Sequence, residues 1–357
     1  MTTHLPLALS VGTNGVPNFL TIDVEEWYRV NYEGAAATGL TCPAGWMERV
    51  TDRLLDICSA HGCRSTFFVL GSVAEAYPQL VRRIAAAGHE VASHSYGHQP
   101  VCAMTPAAFE EDLRRSCGVL ESLTGRPVLG FRAPSFSVTR EVLPWFYAAL
   151  ERRGLTYSSS VFPGRTFLYG IPGFPRRVHR PVVAGHRTTI TEFPLTRVEI
   201  AGRTLGLYVR LFPGFLLRRY ILAENAAGRP AMLYVHPREI DPAQPRLKLR
   251  WTQSKIHYFG VRGCEKKLRG LLVALPGSLG FGTAGVAGSS ASCPGWGGGV
   301  GGSCPGTICA VNGLLKAKAR MQAAQHVERK YFIPIRCVSK GASFPVTLSV
   351  SHPARAC

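Results

Sequence analysis

The sequence has no apolar run long enough to cross a membrane. Its longest are strand-sized, as in Ser65–Leu70 (STFFVL), and charges interrupt the rest. The amino terminus lacks the basic start and long apolar stretch of a secretory signal. The expectation is a cytoplasmic protein, with a periplasmic or membrane-associated placement as the alternative. No CxxC pair occurs among the eleven cysteines, and Cys58 and Cys63 are too irregularly placed for a zinc knuckle. All eleven are therefore expected as reduced thiols. Acidic residues are scarce: 22 Asp/Glu against 41 Lys/Arg leave a formal charge of +19. That balance favours anionic partners, including acidic polysaccharide, a membrane surface or nucleic acid, and does not choose among them. No basic run interleaved with aromatics is present, so nucleic acid is not an expected partner.

What is there is a chain with enough apolar residues, 46% of 357, for one large core. Residues 1–16 read as a flexible lead-in. From residue 17 short apolar runs alternate with helical periodicity. Strands are expected at 19–24, 65–70, 89–93, 128–132, 155–159, 188–194 and 231–236. Helices are expected at 46–61, 74–87, 106–123, 139–153, 212–223 and from 265 to 272, several ended by a glycine. Thr105 is placed to cap the third of them, with Pro106 at its first position. Such alternation means βαβ units and a parallel sheet, and some seven units would close as a barrel. The fold class is thus α/β, with a single domain over 17–272. Residues 277–306 carry 12 glycines and no period, so residues 273–357 read as a low-complexity basic tail. That tail is either a flexible linker with an appended basic helix near 311–331 or the product of a shifted reading frame.

Parallel barrels place their chemistry at the carboxyl ends of strands. The polar residues falling there are Asp23, Glu25 and Glu26 after the first strand, and His94 and His98 after the third. Arg132 follows the fourth, Glu192 stands near the sixth, and His236 follows the last. Two histidines four apart are weak evidence alone, and a carboxylate at a strand end is usually a cap. An acid, two imidazoles, an arginine and a further histidine on one rim are what metal-assisted hydrolysis requires.

Five blocks, FLTIDVEEWYRV, RSTFFVLGSVAEAYPQLVRRIAAAGHEVASHSYGH, LGFRAPSFSVT, LTYSSSVFP and MLYVHPREID, resemble in order and spacing the polysaccharide deacetylase (NodB-homology) family. The nearest subgroup is the one associated with exopolysaccharide clusters and exosortase systems. The resemblance covers about residues 17–272 and implies a distorted (β/α) barrel and a divalent metal, expected as zinc. It maps metal ligands onto His94 and His98, a general base onto Asp23, a general acid onto His236, and the arginine that orients the base onto Arg132. Many members carry two adjacent aspartates, but here the second position is Val24. An extended strand puts Asp23 and Glu25 on one face, so Glu25 is expected as the third ligand. Ser158 stands where an aspartate is common. The implied reaction is hydrolysis of N-acetyl groups from amino sugars of a polysaccharide, with Trp27, Phe136, Ser135 and Glu192 as substrate contacts. The alternatives are a metal-independent cyclic-amide hydrolase (allantoinase-like) on the same fold and a non-catalytic carbohydrate-binding protein. Oligomeric state is not legible.

Overall fold

The longer strands of the main sheet carry apolar side chains toward both faces, as a parallel sheet needs when helices cover one side and a filled interior the other. The computed structural model describes residues 18–30, 39–165, 170–200, 203–274 and 281–282. The lead-in and the suggested helix at 311–331 lie outside them. Strand β1 (Asn18–Val24) sends Leu20, Ile22 and Val24 into the core beneath the helices and Phe19 into the interior. β2 (Thr66–Val69) repeats the alternation with Phe67 and Val69 outward and Phe68 inward. After β3 (Glu90–Ser93), β4 (Gly130–Phe131) and β5 (Tyr157–Ser158) comes a small antiparallel hairpin, β6 (Val182–Val183) with β7 (His186–Arg187). β8 (Thr191–Glu192) returns to the main sheet, and a second hairpin follows, β9 (Arg197–Ile200) with β10 (Arg203–Gly206). β11 (Met232–Val235) and β12 (Phe281–Gly282) complete the strands.

The sheet runs β11-β1-β2-β3-β4-β5-β8, all parallel, with β12 also paired to β1. The two outermost strands do not pair with each other. Met232 N–H donates instead to Thr196 Oγ1 at 2.7 Å, a side chain bridging that seam. The barrel is thus distorted and open along one side. β12 lies beyond the domain boundary expected at residue 272.

Helices α1 (Trp46–Ala60), α2 (Gly71–Ala76), α3 (Pro78–Ala86), α4 (Pro106–Thr124), α5 (Leu143–Arg152), α6 (Gly214–Ala226), α7 (Trp251–Tyr258) and α8 (Cys264–Ala274) fill the connections. The single helix expected over 74–87 is two. Tyr77 sits at φ −130°, ψ 58°, because a residue before proline is driven from helical geometry. Pro78 then opens α3, where its missing N–H costs nothing. The helix expected from 139 starts at Leu143, and α7 and both hairpins are additions to the sequence reading.

Candidate active site and metal centre

Register alone gathers one ring of residues. Val24 pairs with Val69, Val69 with Ser93, Ser93 with Phe131, Phe131 with Ser158, and Ser158 with Glu192. On the other side Ile22 pairs with Val235. The residues one step beyond these rungs, Glu25, His94, Arg132, Ser159 and His236, therefore meet at one mouth. Strand alternation turns Thr21, Asp23 and Glu25 inward and leaves Val24 in the outer core, out of reach of the mouth.

Arg132 is fully buried and fully engaged. Its Nη1 donates to Asp23 Oδ1 at 2.6 Å and to Thr21 Oγ1 at 2.8 Å, and its Nη2 to Ser159 Oγ at 3.0 Å. The guanidinium lies 4.1 Å from the Phe68 ring centroid. Such a pair survives burial because every donor has a partner. Asp23 Oδ2 stays unheld by the arginine and faces His236 Nε2 at 4.0 Å.

The histidine pair stands on a strained loop. Ser95 and His98 both have positive φ, 71° and 63°. Surrounding hydrogen bonds hold them there. His98 N–H donates to Ser95 Oγ, Gly71 N–H to Ser95 O, Ser72 N–H to Tyr96 O, and Tyr96 N–H to Asp112 Oδ1. His94 Nδ1 lies 2.9 Å from Arg132 O, and a carbonyl only accepts. Nδ1 therefore carries the proton, and Nε2 presents its lone pair to the mouth.

Glu25 sits between the imidazoles. Its Oε2 is 2.7 Å from His98 Nε2 and 3.7 Å from His94 Nε2, yet it is buried without a hydrogen bond. The ligand atoms of Glu25, His94 and His98 all lie within 4.8 Å of one another. Two imidazole nitrogens and one carboxylate form the donor set of a catalytic zinc-type site with positions left open, so these residues fit a divalent metal. Burial would raise the Glu25 carboxyl, but the surrounding His98, Arg238, His236 and His94 hold it well below the usual range. Burial pulls the His98 imidazole down. At His94 the same burial is outweighed by Asp23 and Glu25, and the shift is upward.

Three residues have no signal in the sequence reading. Arg238 contacts Glu25 Oε1 through Nη1. Glu239 Oε2 lies 3.4 Å from His236 Nδ1 and accepts from His236 N–H, while its Oε1 accepts from Arg210 Nε at 2.7 Å. Burial alone would raise the Glu239 carboxyl, and His236, Arg210 and Arg238 depress it. The short turn Pro237–Ile240 thus ties the acid candidate to the ligand set.

Of the expected substrate contacts, Ser135 and Phe136 follow Arg132 in a short turn, both at φ 54°, with Phe136 buried edge-on to Tyr234. Two others are elsewhere. Trp27 is buried in the outer core, so it offers no sugar-stacking face. Glu192 is fully buried. Its Oε1 accepts from Ser160 and Val161 N–H, and its Oε2 from Tyr147 Oη. That carboxylate holds the segment after β5 and has no free oxygen for a ligand.

Residues 33–156 match the family model described as polysaccharide deacetylase, and residues 159–283 one described as a domain of unknown function (DUF3473). His94, His98 and Arg132 fall in the first match and His236 in the second, while Asp23 and Glu25 precede both. A peptidoglycan deacetylase-like protein of Gibberella zeae is 32% identical over 126 residues, 34% of this chain and 36% of that protein. The peptidoglycan-N-acetylglucosamine deacetylase of Bacillus cereus is 29% identical over 110 residues, 31% of this chain and 40% of the relative. A chitooligosaccharide deacetylase of Rhizobium leguminosarum bv. trifolii is 38% identical over 77 residues, 22% and 36%. The chain thus spans well under two thirds of the length of these relatives. Among solved structures, a Mycobacterium smegmatis protein assigned to the polysaccharide deacetylases aligns at TM-score 0.51 with 20% identity, over 81% of this chain and 93% of that one. The PuuE allantoinase aligns at TM-score 0.51 with 18% identity, over 82% and 94%. At these identities the likeness establishes the fold alone.

Proposed function

We propose that this chain, whose residues 33–156 match the polysaccharide deacetylase family model, hydrolyses N-acetyl groups from amino sugars of a polysaccharide. We further propose that zinc is its metal and exopolysaccharide biosynthesis its setting. The five sequence blocks and the saccharide deacetylases among its relatives support the substrate class. The observation that carries the reading is Glu25 Oε2, buried without a hydrogen bond between two imidazole nitrogens and beside Asp23 and His236.

When bound by Glu25, His94 and His98, a divalent metal supplies Lewis acidity and a water acidified to a pKa of roughly 7. The chain's own groups do the rest. Asp23 accepts a proton on Oδ2 as water attacks the acetamido carbonyl, with Oδ1 fixed by Arg132. His236 donates a proton from Nε2 to the departing amine, which otherwise leaves poorly. Glu239, itself fixed by Arg210, faces the opposite edge of the imidazole, its Oε2 at 3.4 Å from Nδ1. Acetate and a free amino sugar result. Ser135 and Phe136, close in sequence to Arg132, remain the proposed substrate contacts.

The test is acetate release from an N-acetylated chitooligosaccharide by the purified chain. Release should stop on chelation, return with zinc, and be lost in His94→Ala. Turnover of allantoin that survives chelation would favour the cyclic-amide alternative. Saccharide binding without release would favour the non-catalytic one.

A further inference from the structure

We propose that Cys58 and Cys63 are a disulfide-forming pair that closes the carboxyl end of α1. Gly62 there has φ +59°, Cys63 N–H donates to Cys58 O at 2.8 Å, and Gly62 N–H donates to Ser59 O at 3.1 Å. These two bonds define the Schellman ending of a helix, and it brings together the residues standing at positions 58 and 63. In most proteins that pair is an apolar contact. Here both positions are cysteine, and both sulfurs also reach one atom, Ser65 Oγ, at 3.4 and 3.5 Å. The neighbouring Cys63 thiol draws the Cys58 thiol down, while Cys58 and burial push the Cys63 thiol up, and Cys63 Sγ donates to Arg64 O at 3.7 Å. Arg64 adds a nearby positive charge that lowers both. Cys58 is therefore the nucleophile and Cys63 the resolving thiol.

The oxidant is a disulfide of the glutathione class. Cys58 thiolate attacks one of its sulfurs, breaking that S–S bond and releasing one thiolate. Cys63 then gives up its proton, and its sulfur attacks Cys58 in the mixed disulfide. The Cys58–Cys63 bond forms, and the second glutathione leaves as thiol. Two protein thiols are oxidised and one glutathione disulfide is reduced to two thiols. Both sulfurs are buried, so the reaction proceeds when the last turn of α1 opens, a local event far less costly than unfolding.

The full chain is equilibrated in glutathione buffers of rising oxidised-to-reduced ratio, quenched in acid, alkylated in urea and digested with trypsin. Cys58 and Cys63 lie between Arg53 and Arg64, on one peptide. At oxidising ratios that peptide should lose two hydrogens and take no alkyl group, while Cys117 stays alkylated. The transition should come at a lower ratio in the native chain than in urea, and the oxidised chain should melt higher than the reduced one. Cys58→Ser should leave Cys63 alkylated or glutathionylated and abolish the two-hydrogen loss. Two alkyl groups at every ratio, equal midpoints in buffer and urea, or an oxidised chain that melts no higher would overturn the proposal.

Discussion

The two oxygens of Asp23 have different surroundings, and that difference makes its role testable. Oδ1 is held by Arg132 at 2.6 Å, while Oδ2 faces His236 at 4.0 Å. Asp23→Asn keeps the shape and removes the base, so kcat should fall about 10²–10⁴-fold. Metal content should stay at the level of the parent chain, and its loss would make Asp23 a ligand instead. A second residue sets a pH dependence away from the site. His89 Nδ1 accepts from Ser65 N–H at 3.2 Å, and burial, with Arg64 alongside, pulls its pKa to about 4. In the unfolded chain it titrates near 6.5. Between those values the unfolded state binds a proton the folded state refuses, so stability is full above about pH 6.5 and declines toward pH 4. His257, pulled to about 3, acts with the same sign. His89→Gln should flatten part of that decline in urea midpoints measured from pH 7 to 4.5, and an unchanged slope would show the imidazole is not responsible. At this scale legibility depends on the strand ends. Glu25, His94, Arg132 and His236 each directly follow a strand, and parallel pairing then leaves them little freedom. Trp27 and Glu192 also stand at strand ends, but sequence does not tell a rim position from a buried one. Arg238 and Glu239 reach the mouth only through a tight turn that no periodicity announces.

The α2 helix links the scaffold to the ligand loop. The first residues of α2 donate to Ser95 and Tyr96 carbonyls, inside the loop that carries both histidines. A Cβ at Gly71 would lie 2.6 Å from Tyr96 Cδ2 and 3.1 Å from Ser116 Cα. Gly71→Ala gains about 1 kcal/mol in helix propensity, but overpacking at such distances costs about 1–3 kcal/mol. The clash wins. The Tyr96–Gly97 turn must move, and His98 with it. Melting temperature should fall modestly while zinc affinity, read by competition with a chelating dye, should fall further; unchanged affinity would free the ligand set from α2. Helices with long amphipathic faces, such as α1 and α4, are legible because burial enforces their period. The break at Tyr77 is local backbone chemistry overriding an unbroken apolar pattern. The two hairpins are too short for any period, and β4, β5 and β8 keep only two paired residues of longer apolar runs.

At the scale of the molecule, alternation of strand and helix is enough to read a barrel, because parallel strands need long crossovers and these are helices. The open seam is not readable, since it depends on Thr196 meeting Met232 from distant parts of the chain. Net charge is readable, and it acts on encounter rather than on chemistry. A chain at +19 draws anionic polymers toward a mouth whose buried charges are already paired among themselves. For an acidic N-acetylated polysaccharide, kcat/KM should therefore fall about tenfold or more as ionic strength rises from roughly 0.02 to 0.5 M. A neutral chitooligosaccharide has no charge to steer, so its kcat/KM should change little over the same range. Because the two substrates share the scissile bond, salt effects on the metal or on folding would move both together. Parallel salt curves would show that the basic surface plays no part in capture, whereas a slope confined to the acidic polymer would assign the excess of Lys and Arg to substrate encounter.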